Sequence, residues 1–218
     1  MMEVTGLRKS YGQGESRVEV LKGINLKIQK GERLALIGKS GSGKSTLLSL
    51  LAGLDSPDSG EIIIQGQIIS SMPERDLTNF RAQHMGIVFQ QFHLVSTLSA
   101  QENVLLPLEL LNRSGAMSIA KNLLEGVGLS HRAHHLPSQL SGGESQRVAI
   151  ARALAIGPSI LFADEPSGNL DEETGEKVMD LLFQMVERTQ ITLVLVTHDP
   201  DLAKKCSRIV HLEHGSLL

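Results

Sequence analysis

Short apolar runs recur along the chain and alternate with longer stretches that have a helical pattern. The strand-like runs occupy residues 33–37, 85–89, 160–163, 192–197 and 208–212. Strands that alternate with helices in this way are typical of a parallel sheet flanked by helices. The pattern therefore predicts an α/β fold. Two further β-rich segments, residues 18–28 and 61–69, are separated by turn residues and predict a small, partly antiparallel sheet that packs on the core.

The strand signal disappears between residues 91 and 137. Helical patterns replace it at residues 101–111, 118–126 and 131–135. The leucines of this region make it too apolar for a disordered linker. We therefore predict one domain over residues 1–218, with a core at about 1–90 and 158–218 and an inserted helical subdomain at about 91–157.

Composition limits the partners and the compartment. The 218 residues include 21 Lys plus Arg and 24 Asp plus Glu, which gives a net charge of −3, and only 3% are aromatic. Nucleic-acid binders usually have a basic patch and stacking aromatic side chains, so we expect no nucleic-acid partner. The apolar runs are far shorter than the ~20 residues that span a membrane, and the N-terminus has no signal pattern. We expect a cytosolic protein.

A glycine-rich loop follows the run at residues 33–37. It fits the pattern G-x-x-x-x-G-K-[ST] and precedes a helical stretch; it comprises Gly38, Lys39, Ser40, Gly41, Ser42, Gly43, Lys44 and Ser45, followed by Thr46. Backbone N–H groups of such loops point at phosphate oxygens, and the dipole of the next helix adds to the attraction. Lys44 is expected to reach the β- and γ-phosphates, and Ser45 to bind Mg²⁺. The loop predicts a nucleoside triphosphate site.

Two adjacent carboxylates end the apolar run that begins at Ile160. Side chains alternate between the two faces of a strand, so Asp164 and Glu165 cannot have the same role. We expect Asp164 to hold magnesium through water, and Glu165 to polarise the water that attacks the γ-phosphate. A positioned base contributes about 10²–10⁴-fold in rate, so Glu165 favours a working hydrolase over a nucleotide sensor.

Two further polar residues follow predicted strands. His198 comes after the run at residues 192–197, and Gln90 comes after the run at residues 85–89. The carboxyl ends of strands in a nucleotide-binding sheet open onto the active-site crevice. We therefore expect His198 to contact the γ-phosphate and Gln90 to lie near magnesium, where the helical insert begins.

A second glycine-rich turn comprises Ser141, Gly142, Gly143 and Glu144, and it opens a strong helical stretch. A helix start of this kind is a second anion site. One γ-phosphate can scarcely meet both glycine-rich sites of the same chain, so two chains that share each nucleotide are the economical interpretation. The spacing of Ser141 and Glu144 also fits a capping box, which is compatible with that role.

In this order and spacing, the motifs resemble those of the nucleotide-binding subunits of ATP-binding cassette (ABC) transporters over essentially the whole chain. The loop from Gly38 to Ser45 is similar to the Walker A motif, and residues 140–144 are similar to the signature. Residues 160–165 resemble Walker B, and Gln90 and His198 stand where the family has its Q-loop glutamine and switch histidine. Asp171 ends a segment that resembles the D-loop, and Tyr11 falls where the family has an aromatic residue that stacks on adenine.

The resemblance implies a P-loop NTPase (RecA-like) core with a parallel sheet, an N-terminal antiparallel β subdomain and an inserted α-helical subdomain. It also implies an ATPase with the cofactors ATP and Mg²⁺, in which a head-to-tail homodimer binds two ATP molecules between Walker A of one chain and the signature of the other. Its partner would be a separate integral membrane permease of the export or mechanotransmission type, at the inner face of the cell membrane. Residues 91–137 would form the docking groove.

Within the family, residues 162–166, 168–171 and 12–15 resemble the lipoprotein-release and macrolide-export branch, and YbbA-type subunits most closely. Ser167, Ser145 and Lys39 depart from the usual residues without changing the expected chemistry. The alternatives are a soluble ABC-type ATPase that acts on DNA or ribosomes, another phosphate-loop kinase or GTPase, and a non-hydrolysing regulatory module. The chain has no coiled coil, second cassette or Asn-Lys-x-Asp segment in support of the first two, and ATP turnover would distinguish the third.

Several histidines also suggest metal binding, whereas a single cysteine rules out a cysteine-based zinc cluster. His131, His134 and His135 would share a helix face, and His211 and His214 would do so only if that end were helical, whereas we predict that they lie on a strand. No cysteine or acidic cluster accompanies them, so we interpret them as solvated or capping residues. Cys206 alone excludes an internal disulfide framework, and we expect a buried thiol.

Overall fold

The computed structural model describes residues 1–12 and 17–218. Its strands are β1 (Met2–Tyr11), β2 (Val18–Ile28), β3 (Arg33–Ile37), β4 (Ser59–Ile64), β5 (Gln67–Ile68), β6 (Met85–Val88), β7 (Ile160–Asp164), β8 (Thr192–Val196), β9 (Arg208–Glu213) and β10 (Ser216–Leu217). Its helices are α1 (Lys44–Leu51), α2 (Glu74–His84), α3 (Ala100–Leu110), α4 (Ala116–Gly126), α5 (Gly142–Leu154), α6 (Glu172–Thr189) and α7 (Pro200–Lys204). The chain forms two compact units, Met1–Arg81 with Thr192–Leu218, and Ala82–Ile191.

The first unit contains an antiparallel sheet with the strand order β2-β1-β4-β5. Met2 of the central strand β1 lies opposite Ile28 on one side and Ile64 on the other. Buried and exposed positions alternate along most of β1, as expected for a sheet with one face on the core. The predicted antiparallel sheet is therefore present, with β1 as an additional strand that the apolar runs did not indicate.

Parallel strands of the first unit carry the glycine-rich loop. β3 pairs in parallel with both β8 and β9, and Leu36 lies opposite Val196 and Val210. Every residue of β8 is buried, which explains the continuous apolar run in the sequence. Because these strands run in the same direction and in register, the segments that follow β3 and β8 leave the sheet at the same edge.

The second unit has the same arrangement on a smaller scale. β6 pairs in parallel with β7, and Val88 lies opposite Ala163. The residues that follow these two strands therefore also emerge at one edge. Helices α3, α4 and α5 of this unit pack around an apolar cluster that includes Val104, Leu108, Leu124, Leu129, Val148 and Ala151.

The helical predictions within this unit agree with α3 and α4, but the one at residues 131–135 is wrong. Only the short 3₁₀ turn Ser130–Arg132 forms there, and a second 3₁₀ turn lies at Pro137–Gln139. The carbonyls of Ala133 and His135 accept hydrogen bonds from the N–H groups of Gln101 and Ala100, at 2.9 and 2.8 Å. They satisfy the first turn of α3 and so cannot continue a helix of their own.

The structure also locates the second pair of histidines and the cysteine that the sequence analysis considered. His211 lies on β9, and His214 lies in the turn after it with a φ of 49°. Within the described ranges, no group of three or more metal-binding side chains comes together. Cys206 is partly rather than fully buried, and this burial raises the pKa of its thiol to about 11.

Candidate nucleotide-binding site

The loop between β3 and α1 has the backbone geometry of an anion cradle. α1 begins at Lys44, and its N-cap, Gly43, has a φ of 101° and makes no side-chain cap hydrogen bond. The N-cap residue therefore provides no side-chain acceptor for the N–H groups of the first turn, and the positive end of the helix dipole adds to their attraction for an anion. A Cβ at Gly38 would collide with the carbonyl of Leu212 and approach Ser42 Oγ to 2.8 Å, so the loop requires glycine there.

Lys44 lies across this loop and is almost fully buried. Its Nζ donates to the carbonyls of Gly38 and Lys39 at 2.9 and 3.1 Å. Ser42 Oγ is also buried, and it has no hydrogen-bond partner among the described residues. A fixed ammonium and a buried hydroxyl without a protein partner are what a site built around an anionic ligand contains. The residues present therefore fit a phosphate group.

Tyr11 lies beside the start of α1, and its stacking on adenine stays a prediction. Its hydroxyl donates to Asp55 Oδ2 at 2.8 Å and also hydrogen-bonds the side chain of Thr46. Burial, together with the hydrogen bond to Asp55, raises the pKa of Tyr11 above its usual value. Tyr11 as a residue is 45% exposed, and Lys9 Nζ lies 5.0 Å from the centroid of its ring. The hydroxyl is therefore fixed while much of the ring is accessible for stacking.

His198 follows β8 and is exposed. The parallel register of β3 and β8 places it at the same edge of the first unit as the start of the glycine-rich loop. Asp199, the next residue, caps α7 by accepting hydrogen bonds from two backbone N–H groups. The contact of His198 with a γ-phosphate stays a prediction.

Gln90, Asp164 and Glu165 share an edge of the second unit because they follow the paired strands β6 and β7 or end one of them. Glu165 has a φ of 43°, which is uncommon for a residue other than glycine. Its carbonyl accepts a hydrogen bond from Gly168 N at 2.9 Å, which closes a turn. Strained backbone of this kind costs about 1–3 kcal/mol and often occurs at functional sites.

The signature-like turn begins α5 with a complete capping box. Ser141 Oγ accepts from Glu144 N at 3.2 Å, and Glu144 Oε2 accepts from Ser141 N at 2.7 Å. The backbone N–H of Ser141 is the main reason why the pKa of Glu144 lies below its usual value, and Arg132, whose Nε lies 3.1 Å from Glu144 Oε1, also lowers it. A Cβ at Gly143 would collide with Thr174. Glu144 therefore fixes the helix start, and glycine permits the close approach of α6.

Asp171 is the N-cap of α6. Its Oδ1 accepts a hydrogen bond from Thr174 N at 3.0 Å, and this bond is the main reason why its pKa is lowered. The carboxylate belongs to the helix start in this chain. A role for Asp171 in nucleotide binding stays a prediction.

The sequence did not indicate the side chains that hold the segment after β6. Gln146 Nε2 donates to the carbonyls of Phe89 and Pro166, at 3.2 and 2.6 Å. Arg152 donates to the carbonyls of Phe92 and His93, at 2.9 and 2.5 Å. Both residues lie on α5, so this helix is bonded directly to the segment. Because α5 also contains other polar residues, such as Ser145 and Arg147, nothing in the sequence distinguished Gln146 and Arg152.

The comparisons with known proteins agree with this geometry. The family model described as ABC transporter matches residues 21–168. The chain is 52% identical to the ABC transporter ATP-binding protein YbbA of Escherichia coli (strain K12), over all of this chain and 96% of YbbA. It is 47% identical to the lipoprotein-releasing system ATP-binding protein LolD of Geobacter metallireducens, over all of this chain and 98% of LolD.

The chain belongs to the ABC transporter family. The fold agrees as well, because a dimeric structure of the ATP-binding cassette MJ0796, in a post-hydrolysis state bound to ADP and Pi, superimposes with a TM-score of 0.92. That alignment has 43% identity and covers all of this chain and 96% of the other. The predicted P-loop NTPase fold and the resemblance to YbbA-type and lipoprotein-release subunits are confirmed.

This ABC protein is therefore a nucleotide-binding, ATP-hydrolysing motor subunit. In the parts of the chain that the structure describes, no helix combines the length and the apolar character needed to cross a membrane. Of the residues quoted for the branch resemblance, positions 13–15 lie outside the described residues.

We predict that Arg152→Met loosens the segment after β6. Hydrogen bonds from a charged donor contribute about 1.5–3 kcal/mol each, so the loss of two should increase amide exchange at residues 91–98 by about 10-fold or more. Arg152→Lys, which keeps the charge but cannot form the same fork, should have an intermediate effect. The measurement is hydrogen–deuterium exchange with mass spectrometry. Arg75→Met, which removes an exposed arginine from α2, is the control, and unchanged protection in Arg152→Met would contradict the assignment.

Proposed function

We propose that this ATPase subunit acts as a head-to-tail homodimer that closes on two ATP molecules with Mg²⁺ and drives a separate integral membrane permease. The observation that carries the proposal is the loop before α1, with its helix start free of a side-chain cap and its buried Lys44. The proposed function involves no nucleic-acid partner. The proposed location is the cytoplasmic side of the membrane, held there by the permease.

The nucleotide-binding roles follow from the chemistry of each group. Lys44 exchanges its carbonyl acceptors for phosphate oxygens, and the N–H groups of the loop donate to the same phosphates. The exposed face of Tyr11 stacks on adenine. The other residues of the loop also contribute to nucleotide binding, namely Gly38, Lys39, Ser40, Gly41, Ser42, Gly43, Ser45 and Thr46.

The cation ligands that we propose are Ser45, Gln90 and Asp164. A hydroxyl, an amide and a carboxylate are hard oxygen donors, which is the donor set that Mg²⁺ prefers, so the residues fit this ion. When bound, Mg²⁺ neutralises charge that develops on the phosphates. Glu165 accepts the proton of the attacking water, and His198 donates to the γ-phosphate. The chain's own contribution is thus to position the water and to stabilise charge.

The two glycine-rich helix starts support a shared site. The start of α1 and the start of α5 belong to different elements, and each can donate backbone N–H groups to an anion. We propose that Ser141, Gly142 and Gly143 of one chain complete the site of the other, with Glu144 and Asp171 fixing the helix starts that meet the nucleotide. The dimeric form in which MJ0796 was solved supports this arrangement.

Replacement of Glu165 by Gln should abolish most ATP turnover and preserve ATP binding. The amide keeps the size and hydrogen bonding of the side chain but cannot accept the proton, so we expect a loss of about 10²–10⁴-fold in rate. Because ATP then persists, size-exclusion chromatography with ATP and Mg²⁺ should show a stable dimer. Glu176→Gln, an exposed change on α6, is the matched control. Near-normal hydrolysis by Glu165→Gln would rule out this role for Glu165.

The second unit offers a docking surface for the permease. A cavity of about 390 Å³ is lined by the segment after β6 and by the start of α5, including Gln91, Phe92, Leu94, Pro137, Leu140 and Gly142. Val95 in the same segment is 39% exposed. We propose that a cytosolic helix of the permease enters this cavity, and that Gln90, which begins the segment, relates nucleotide state to the partner.

Photocrosslinkers placed at exposed positions of this segment, such as Gln91 and Val95, should capture an integral membrane protein in native membranes. The same probe at the exposed Glu187 of α6 serves as the control and should capture much less. The captured protein is identified by mass spectrometry. Capture of ribosomal or DNA-bound proteins alone would favour a soluble ABC-type ATPase that acts on DNA or ribosomes over a transporter subunit.

A further inference from the structure

Gln90 is held from two sides by the turn that follows Glu165. Its Nε2 donates to Asn169 Oδ1 at 3.1 Å, and its own carbonyl accepts from Asn169 Nδ2 at 3.0 Å. Gly168 lies directly beneath the amide, because a Cβ there would lie 2.7 Å from Gln90 Nε2. Asn169 thus forms hydrogen bonds with both the backbone and the side chain of Gln90.

The direction of these bonds determines which atom of the Gln90 amide faces away from Asn169. A backbone carbonyl can only accept, so Asn169 must present Nδ2 to it and Oδ1 to the side chain of Gln90. An acceptor at that point requires Gln90 to present Nε2. The other end of the Gln90 amide, Oε1, is then the atom that faces away from Asn169. A divalent cation binds an amide through its oxygen, never through its NH₂ group.

We propose that Asn169 is a positioning residue, which keeps Gln90 Oε1 turned toward the divalent cation of the ATP site. The proposal rests on the function proposed above, in which Gln90 is a cation ligand. Asn169 itself does not touch the cation. If Gln90 could rotate freely, half of its amide orientations would present NH₂ to the cation, and the side chain would lose entropy on binding. Mutation of a residue that orients a metal ligand typically lowers metal affinity by about 10–100-fold.

The test uses Asn169→Leu, which keeps the approximate size of the side chain and removes both hydrogen bonds, and Asn169→Ala, which removes them without added bulk. Asn122→Leu, an exposed asparagine of α4, is the matched control. The full chain carries Glu165→Gln in every case so that ATP persists. Binding of Mn²⁺ in the presence of ATP is measured by electron paramagnetic resonance, and ATP binding without a divalent cation is measured by equilibrium dialysis.

We expect both Asn169 variants to weaken Mn²⁺ binding about 10-fold or more and to leave cation-free ATP binding and the midpoint of thermal unfolding unchanged. A merely structural role would change all three quantities together. In the Gln90→Ala background, Asn169→Leu should have no further effect on Mn²⁺ binding, since Asn169 acts only through Gln90.

Three results would overturn the inference. Unchanged or tighter Mn²⁺ binding in Asn169→Leu would mean that Asn169 does not orient a ligand, or that it holds Gln90 back from the cation. An additive loss in the double variant would mean that Asn169 acts by another route. If Gln90→Ala alone leaves Mn²⁺ binding unchanged, then the proposed cation ligand itself is wrong, and the positioning role fails with it. The single Gln90→Ala variant therefore distinguishes failure of the proposed function from failure of the inference alone.

Discussion

The nucleotide site that we propose depends on a helix start whose N-cap residue has no side chain to cap the backbone N–H groups. At the start of α1, the N-cap is Gly43, in a left-handed conformation, and it has no side-chain cap bond. At the start of α5, Ser141 and Glu144 form a complete capping box. The two glycine-rich turns look alike in sequence, yet they differ in this respect. In the proposed arrangement, the first helix start binds a phosphate of its own chain, while the second, which its capping box holds in place, meets a ligand that another chain holds.

Polar side chains on α5 and in the turn after Glu165 fix the segment between β6 and α3. Gln146 and Arg152 bond to its backbone carbonyls, and Asn169 bonds to both ends of Gln90. Asn103, which is fully buried on α3, accepts from Val95 N at 2.8 Å. A segment that is bonded to the helix of the signature-like turn and to the turn after Glu165 can respond to changes in either. This is the physical basis for the proposed link between nucleotide state and the permease.

The sequence predicted the parts of the structure that are local or fully buried. β3 and β8 were found because a strand buried on both faces is apolar at nearly every position. β1 was missed because polar residues such as Glu3 and Arg8 occupy its exposed face, so no apolar run marks it. The predicted helix at residues 131–135 failed because its carbonyls are used by α3, which local propensity does not show. The contact between Gln90 and Asn169 joins residues 79 positions apart, and only the pairing of β6 with β7 brings them together.

The claim that each nucleotide is shared between two chains is tested most directly by mixing two defective variants. Lys44→Ala removes a charge from the loop that binds phosphate, whereas Ser141→Arg obstructs the surface that we propose meets the partner's nucleotide, at a cost of about 1 kcal/mol for the lost helix cap. The measurement is ATP turnover of the one-to-one mixture and of each variant alone. If the site is shared, turnover of the mixture exceeds the mean of the two variants, because a mixed dimer contains one intact site. Turnover equal to that mean, with the same loss of nucleotide affinity in both isolated variants, would contradict it.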